Sequence, residues 1–388
     1  MSTGLRFLQQ ARRISQTAYE RLRPIPNEQL IWKANENDPT KHTMSHEGLF
    51  YMLPPEDQIQ RIFGYPSPYD IETTRFYNTI GMMPLMVRQP TLTAKDYIEK
   101  INPDLENVRI LFYGDKGRGK THVLTHLLHY LHVKKDYFII HIREMKKFTR
   151  SPWDYNPSAS RAGRFDTPLN AALQLRQFKI QNADLIETHK DVLICKRDYE
   201  WSSRETTKAG ESIFNIADHG VSRVNHASDC VAVLFKELME YADEGKIKLA
   251  SVLDNVRFLF LRQCGVLLSP DRKRILVDEM TVARAIKKLI KGNYKNSLVL
   301  ATCDDKLSSK QNQTPQEVLG QEGWDHFDPF LPISVPIYTR KEFESCMNFY
   351  QDIGWLARPV SRTIEARDEI RFVSGMNPGQ VYDLCRTI

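Results

Sequence analysis

Gly114-Asp-Lys-Gly-Arg-Gly-Lys-Thr121 fits the pattern G-x-x-x-x-G-K-[ST], and its flanks are those the pattern requires. Before it, Val108-Arg-Ile-Leu-Phe-Tyr113 is apolar, β-prone and bounded by turn signals, which predicts a buried strand. After it, Thr121 to Val133 is strongly helical, and Tyr137-Phe-Ile-Ile-His-Ile142 predicts a second strand. Strand, glycine loop, helix, strand is a βαβ unit. That commits the chain to an α/β fold with a parallel sheet.

The loop carries its own chemistry. Its glycines let the backbone amides from Gly114 through Asp115, Lys116, Gly117, Arg118 and Gly119 turn inward as a nest for phosphate oxygens. Lys120 supplies a charge toward the β and γ phosphates, and the Thr121 hydroxyl reaches Mg²⁺. The following helix points its positive end at the same anion. A purine nucleoside triphosphate with Mg²⁺ is the expected ligand.

A second acid for the metal has two candidates. Asp254 ends the apolar strand Leu249-Ala-Ser-Val-Leu-Asp254, whereas Asp278 follows Arg274-Ile-Leu-Val277 and doubles as the cap of a helix. If Asp254 serves, Asn255 stands where a motor ATPase keeps its catalytic Glu, and hydrolysis should be slow or absent. The protein is then at most a weak P-loop NTPase. Thr302, ending Ser297-Leu-Val-Leu-Ala-Thr302, is a candidate sensor of the γ-phosphate.

The expected fold is a P-loop NTPase core of AAA-like type over 93–338, with a helical and basic insert at 143–245. A long extended segment with short elements, expected to drape over a neighbour, precedes it at 24–92, and a small helical lid follows at 339–388. In the lid, Thr339-x-x-Glu342 forms a capping box, and two short helices break at Gly375-Met-Asn-Pro-Gly379. Leu331-Pro-Ile-Ser-Val335 is a fifth strand. Residues 1–23 hold five arginines against one acid at helical spacing, the make-up of a mitochondrial transit peptide or of a basic binding arm.

The net charge of +6 over 388 residues suits an acidic partner without requiring one. Six cysteines are scattered singly with no C-x-x-C pair, which excludes zinc ribbons and redox motifs and fits a reducing compartment. No apolar run approaches the ~18 residues of a membrane span. His122, His126 and His129 share one helical face, read as a polar face meeting solvent or a neighbour rather than as a metal site. Arg143, Lys146, Lys147, Arg150, Trp153, Arg161 and Arg164, with Phe148, Tyr155 and Phe165 interleaved, combine cations with aromatic planes as irregular RNA contacts do. A solvated basic loop is the alternative.

Several stretches resemble the death-associated protein family, the GTP-binding proteins of the mitochondrial small ribosomal subunit. They are Gly48-Leu-Phe-Tyr51, the loop itself, Arg164 to Ala171, Tyr199 to Gly210 and Gly220 to Val224. The most specific are Leu319-Gly-Gln-Glu-Gly-Trp-Asp-His-Phe-Asp-Pro-Phe330 and Lys341-Glu-Phe-Glu-Ser-Cys346. The family's Val-Asp-Gly aligns with Leu253-Asp254-Asn255 and so favours Asp254. The resemblance implies GTP or GDP, the mitochondrial matrix, small-subunit rRNA and ribosomal proteins as partners, no obligate homo-oligomer, and a link to apoptosis. An AAA-type remodelling ATPase and a nucleotide-gated apoptotic switch are the alternative functions.

Overall fold

Five apolar runs become the five strands of one parallel sheet: β1 (Val108–Tyr113), β2 (Tyr137–Ile142), β3 (Lys248–Leu253), β4 (Ser297–Thr302) and β5 (Leu331–Ser334). Their spatial order is β5-β1-β4-β3-β2, and the fold is α/β, as the sequence leads one to expect. The computed structural model describes residues 30–65, 67–69, 71–102, 106–303 and 313–386. The arginine-rich segment 1–23 lies outside the described residues.

Successive side chains of a strand point to opposite faces, so a run that is apolar throughout must be covered on both. Ile110, Phe112, Ile139, Val252, Leu298 and Leu300 join one core, with Leu124, Leu127, Leu128 and Leu131 of the helix Lys120–Lys134. Leu111, Phe138, Ile140, Ile142, Leu253 and Val299 join the other. That second core is closed by the helices Pro168–Gln181, Phe214–Ser222, Ala227–Asp243 and Thr281–Lys291. Strand β2 is an edge, and an edge exposes unpaired amides. Asn182 blunts it: its side chain accepts from Ile139 N at 2.7 Å and donates to Ile139 O at 2.9 Å.

Register decides what stands at the C-terminal ends of the strands. Thr302 pairs with Phe112 and Ala301 with Leu253, so Asp254 comes level with Thr302. A slip of one residue in either pairing would turn one of these side chains to the opposite face.

The segment before the sheet carries short elements, as its composition predicts. It contains the helices Glu56–Phe63 and Ile71–Ile80 and an antiparallel pair, Phe50–Met52 with Pro84–Met86. A further helix, Gln89–Glu99, leads into the sheet. The segment drapes over the core as expected and explains the histidine stripe. His126 Nε2 meets His42 Nδ1 at 2.9 Å, His129 meets the Tyr51 hydroxyl at 3.3 Å, and Tyr69 stacks on His122 at 4.7 Å. The stripe meets a neighbour, not solvent.

The insert is largely helical, but two short hairpins interrupt it, Asn156–Pro157 with Phe165–Asp166 and Tyr199–Ser202 with Glu205–Thr207. A third, Gln263–Leu268 with Arg274–Leu276, occupies the run before Asp278. The C-terminal helices Arg340–Asp352, Ile364–Ser374 and Pro378–Cys385 build a third core with Trp32, Phe50, Phe76 and Tyr77. All six cysteines are buried, and none of them forms a disulfide. Among the described residues no helix is long and apolar enough to cross a membrane.

Three buried imidazoles make the fold acid-sensitive. Burial holds His129 and His141 at about 4 and pushes His126 well below the usual histidine range. The folded chain therefore refuses protons that the unfolded chain accepts near pH 6.5. Stability is fully present above that value and is lost as pH falls toward 4, by up to about 3 kcal/mol for each of His129 and His141. Urea midpoints measured between pH 7.5 and 4.5 should fall accordingly, and His129→Leu should flatten the slope. A midpoint independent of pH would show that these rings are accessible to protons.

Candidate functional site

The phosphate loop ends β1 and opens the helix Lys120–Lys134, as its motif demands. Gly114, Gly117 and Gly119 all take positive φ, 139°, 83° and 88°. At Gly117 the requirement is double, since an added Cβ would also lie 2.5 Å from the Asn377 side-chain oxygen. Lys120 is buried, and its ammonium donates to the carbonyls of Gly114 and Asp115 at 2.8 and 2.9 Å. Asp115 and Arg118 are paired within the loop.

Around Thr121 the strand ends converge. Its hydroxyl donates to Asp254 Oδ2 at 3.1 Å, and the Thr302 hydroxyl donates to the other oxygen of the same carboxylate. Asn255 N–H donates in turn to Thr302 Oγ1 at 2.8 Å. Asn255 sits in the left-handed region, φ 58°, which Asn tolerates better than most side chains. A hydroxyl and a carboxylate beside a glycine cradle and a buried lysine suit a divalent cation on a polyphosphate. The competing acid, Asp278, is elsewhere: its exposed carboxylate accepts from Lys287 at 2.8 Å, before the helix Thr281–Lys291. The structure thus brings Thr121, Asp254 and Thr302 together and leaves Asp278 out.

Sequence reasoning missed the lid's direct grip on the loop. Gly379 N–H donates to Gly117 O at 2.8 Å, and the Asn377 amide donates to Lys116 O at 3.0 Å. It also missed Arg88. That buried guanidinium donates to Glu342 Oε1 at 2.9 Å and Oε2 at 3.2 Å, to Arg118 O at 2.7 Å, and to the carbonyls of Pro336 and Ile337 at 3.0 and 3.2 Å. Glu342 Oε2 also accepts from Thr339 N, so one carboxylate closes the expected capping box and holds Arg88. No local pattern marks Arg88, because its partners lie up to 254 positions away.

Between loop, N-terminal segment and lid is a cavity of about 340 Å³. Gly119, Lys120 and Thr121 line one end, and Phe76, Tyr77, Phe349 and Tyr382 line its body. Burial keeps the hydroxyls of Tyr69, Tyr77, Tyr338 and Tyr350 above the usual tyrosine range, and the Cys346 thiol is pushed up to about 12. None of the described residues lining it is acidic. A polyanion with an aromatic body matches such walls.

The basic stretch separates into two parts. Arg143 is a structural tie, donating to the carbonyls of Ser67 at 2.8 Å and Tyr69 at 3.2 Å and stacking on Tyr65. Arg150 lies against Gly265, and Phe148 and Phe165 are core residues. Lys146 is exposed, Lys147 sits 5.5 Å over the exposed Trp153 ring, Arg161 approaches Asp229 at 3.8 Å, and Arg164 is half-buried.

Two expectations follow. Glu342→Ala strands the Arg88 charge in the interior and should cost about 3–5 kcal/mol in denaturant unfolding. A loss below about 1 kcal/mol would mean that water or another acid reaches Arg88. Gly117→Ala forces strain of roughly 1–3 kcal/mol into the loop and should weaken nucleotide binding about tenfold or more by calorimetry. Unchanged affinity would show that the lid simply moves away.

Known proteins resemble this chain along most of its length. The profile of the family described as mitochondrial ribosomal death-associated protein 3 matches residues 85–384. Over 370 residues the chain is 32% identical to small ribosomal subunit protein mS29 of Mus musculus, covering 94% of this chain and 92% of the relative. The protein of the same name from Bos taurus is 31% identical over 367 residues, 93% and 89% of the two chains. A crystal structure of a DNA replication initiation factor overlaps 77% of this chain and 65% of its own, at 11% identity and a TM-score of 0.27, too slight a likeness to bear on the fold. The chain belongs to the mitochondrial ribosomal death-associated protein 3 family.

Proposed function

We propose that this chain is a structural, nucleotide-holding component of the mitochondrial small ribosomal subunit. In this reading it works in the mitochondrial matrix against rRNA and ribosomal proteins. The relatives' name supports the assembly, and their coverage of nearly the whole chain supports carrying it over. The core is of the AAA-like P-loop class: the phosphate loop follows β1, and the acid-bearing β3 is separated from it by β4.

The ligand of this reading is GTP or GDP with Mg²⁺. Gly114 to Lys120 hold the phosphates, Thr121 and Asp254 hold the cation directly or through water, and Thr302 orients the carboxylate. When bound, Mg²⁺ neutralises phosphate charge. The base enters the aromatic cavity.

One observation carries the structural role: the lid rests on the loop through Gly379–Gly117 and Asn377–Lys116. A ligand gripped by that loop therefore stabilises the junction of core, N-terminal segment and lid by its own binding free energy. Asn255 supplies no carboxylate to activate water, which favours holding over turnover. Lys146, Lys147, Trp153 and Arg161 are the accessible members of the basic stretch and the surface offered to rRNA.

Lys120→Ala should abolish nucleotide retention, lower the thermal midpoint toward that of the nucleotide-free protein, and reduce incorporation into small subunits on sucrose gradients. Guanine nucleotide should be released on denaturing the native protein. Rapid turnover that depends on Lys120 would favour a remodelling ATPase instead. Normal incorporation of the nucleotide-free variant would end the structural reading.

A further inference from the structure

The insert contains a second cluster of donor atoms, unrelated to the phosphate loop. Glu205, on the second strand of the hairpin Tyr199–Ser202/Glu205–Thr207, faces His219 of the helix Phe214–Ser222 and His226 of the turn Val224–His226. One ligand atom from each lies within 4.8 Å of the other two. His219 Nε2 and His226 Nδ1 are 2.9 Å apart, and a Glu205 oxygen is 4.0 Å from His226 Nδ1.

We propose that Glu205, His219 and His226 form a site for one zinc-like divalent transition-metal ion, with water completing a four-coordinate shell. Tetrahedral zinc with bonds of about 2.0–2.2 Å sets its donors roughly 3.3 Å apart. The two nitrogens therefore need to part by only a few tenths of an ångström, and Glu205 to close by somewhat more. The two imidazole nitrogens face one another nearly in line, so both rings must also tilt to aim their lone pairs at one ion. As a hydrogen-bonded pair they share one proton; with metal, the donor ring carries that proton on its other nitrogen and both lone pairs face the ion.

The surroundings hold the ligands in place, as metal sites require. Trp201 stacks on His219 at 5.2 Å and 19°, and His219 lies 5.2 Å from His226 with its ring nearly parallel, at 11°. The Trp201 indole is itself fixed, donating to Thr207 Oγ1 at 2.9 Å. Arg223 Nε donates to Glu205 Oε1 at 2.6 Å, and the other carboxylate oxygen is the one nearest His226. Arg223 is thus a positioning residue that leaves one oxygen for the ion. All three ligands are half-buried, so an ion can enter from solvent. Bound there, it clips the hairpin to the helices that cover the sheet.

The test uses the full-length protein stripped by chelator, titrated with Zn²⁺ by calorimetry against a competing chelator. One ion should bind per chain. His219→Gln, His226→Gln and Glu205→Gln should each weaken it at least about tenfold. Thr121→Ala, which alters the phosphate-loop site, should not. Zn²⁺ should raise the thermal midpoint of the native chain and not those of the three variants, whose metal-free midpoints report whether they fold. Co²⁺ should give the strong visible bands of a four-coordinate site in the native chain, and His226→Asn should remove them. Absence of stoichiometric binding, six-coordinate Co²⁺ spectra, or affinity undiminished in all three variants would overturn the proposal. Any Zn²⁺ taken up with nucleotide at Thr121 and Asp254 is identified by its loss in Thr121→Ala.

Discussion

Arg88 and Glu342 are both buried, and neither is tolerable there without the other. Their pairing joins parts of the chain that no single core unites. Arg88 comes from the start of the helix that precedes the sheet, Glu342 from the first helix of the lid, and the same guanidinium takes up the carbonyl of Arg118 in the phosphate loop. A charged group donating to so many carbonyls and a carboxylate at once is specific in direction as well as favourable in energy. The loop's position relative to the lid is thereby set before any ligand contributes. The ring of Tyr338, 5.1 Å away, closes the remaining face of the guanidinium.

With that junction in place, the phosphate loop is more than a local motif. Its carbonyls at Lys116, Gly117 and Arg118 are bonded from outside, by Asn377, Gly379 and Arg88. A loop whose oxygens are tied outward is free to present its amides inward. Elements distant in sequence thus prepare the anion cradle that the glycines permit. The Thr121–Asp254–Thr302 network prepares the opposite side in the same manner, through sheet register instead of side-chain pairing.

What the sequence disclosed divides along that line. The strands, the loop, the helix after it and the capping box at Thr339 are local: period, glycine spacing and cap chemistry specify them within a dozen residues. Asp254 and Asp278 both follow apolar runs; cap chemistry and the family resemblance lean toward Asp254, and the register of β3 beside β4 places its carboxylate at the loop. The hairpins at Tyr199–Thr207 and Gln263–Leu276 escaped notice because their strands are short and the first alternates between half-buried and exposed positions. The histidine face was legible as polar but not as buried, since its cover comes from a segment with no sustained period. Arg88 was silent altogether. A single arginine before Gln-Pro has no pattern, and its meaning resides in residues some 250 places further on.

The N-terminal drape has a consequence for how the chain is made. Trp32 donates to Asp352 across 320 positions, the Asn348 amide to Ile31 across 317, and Arg88 waits for Glu342. In a polypeptide delivered from its N-terminus, the earliest residues acquire their partners last. Contacts so remote in sequence form slowly, because a long loop must close before they reward it. Until the final helices arrive, the aromatic face around Trp32 and Phe50 and the Arg88 charge lack their cover. A chain cut short before those helices would expose that face to chaperones and proteases. Closure of the lid therefore serves as a check on completeness, passed only by a chain whose last helices have reached the segment around Trp32.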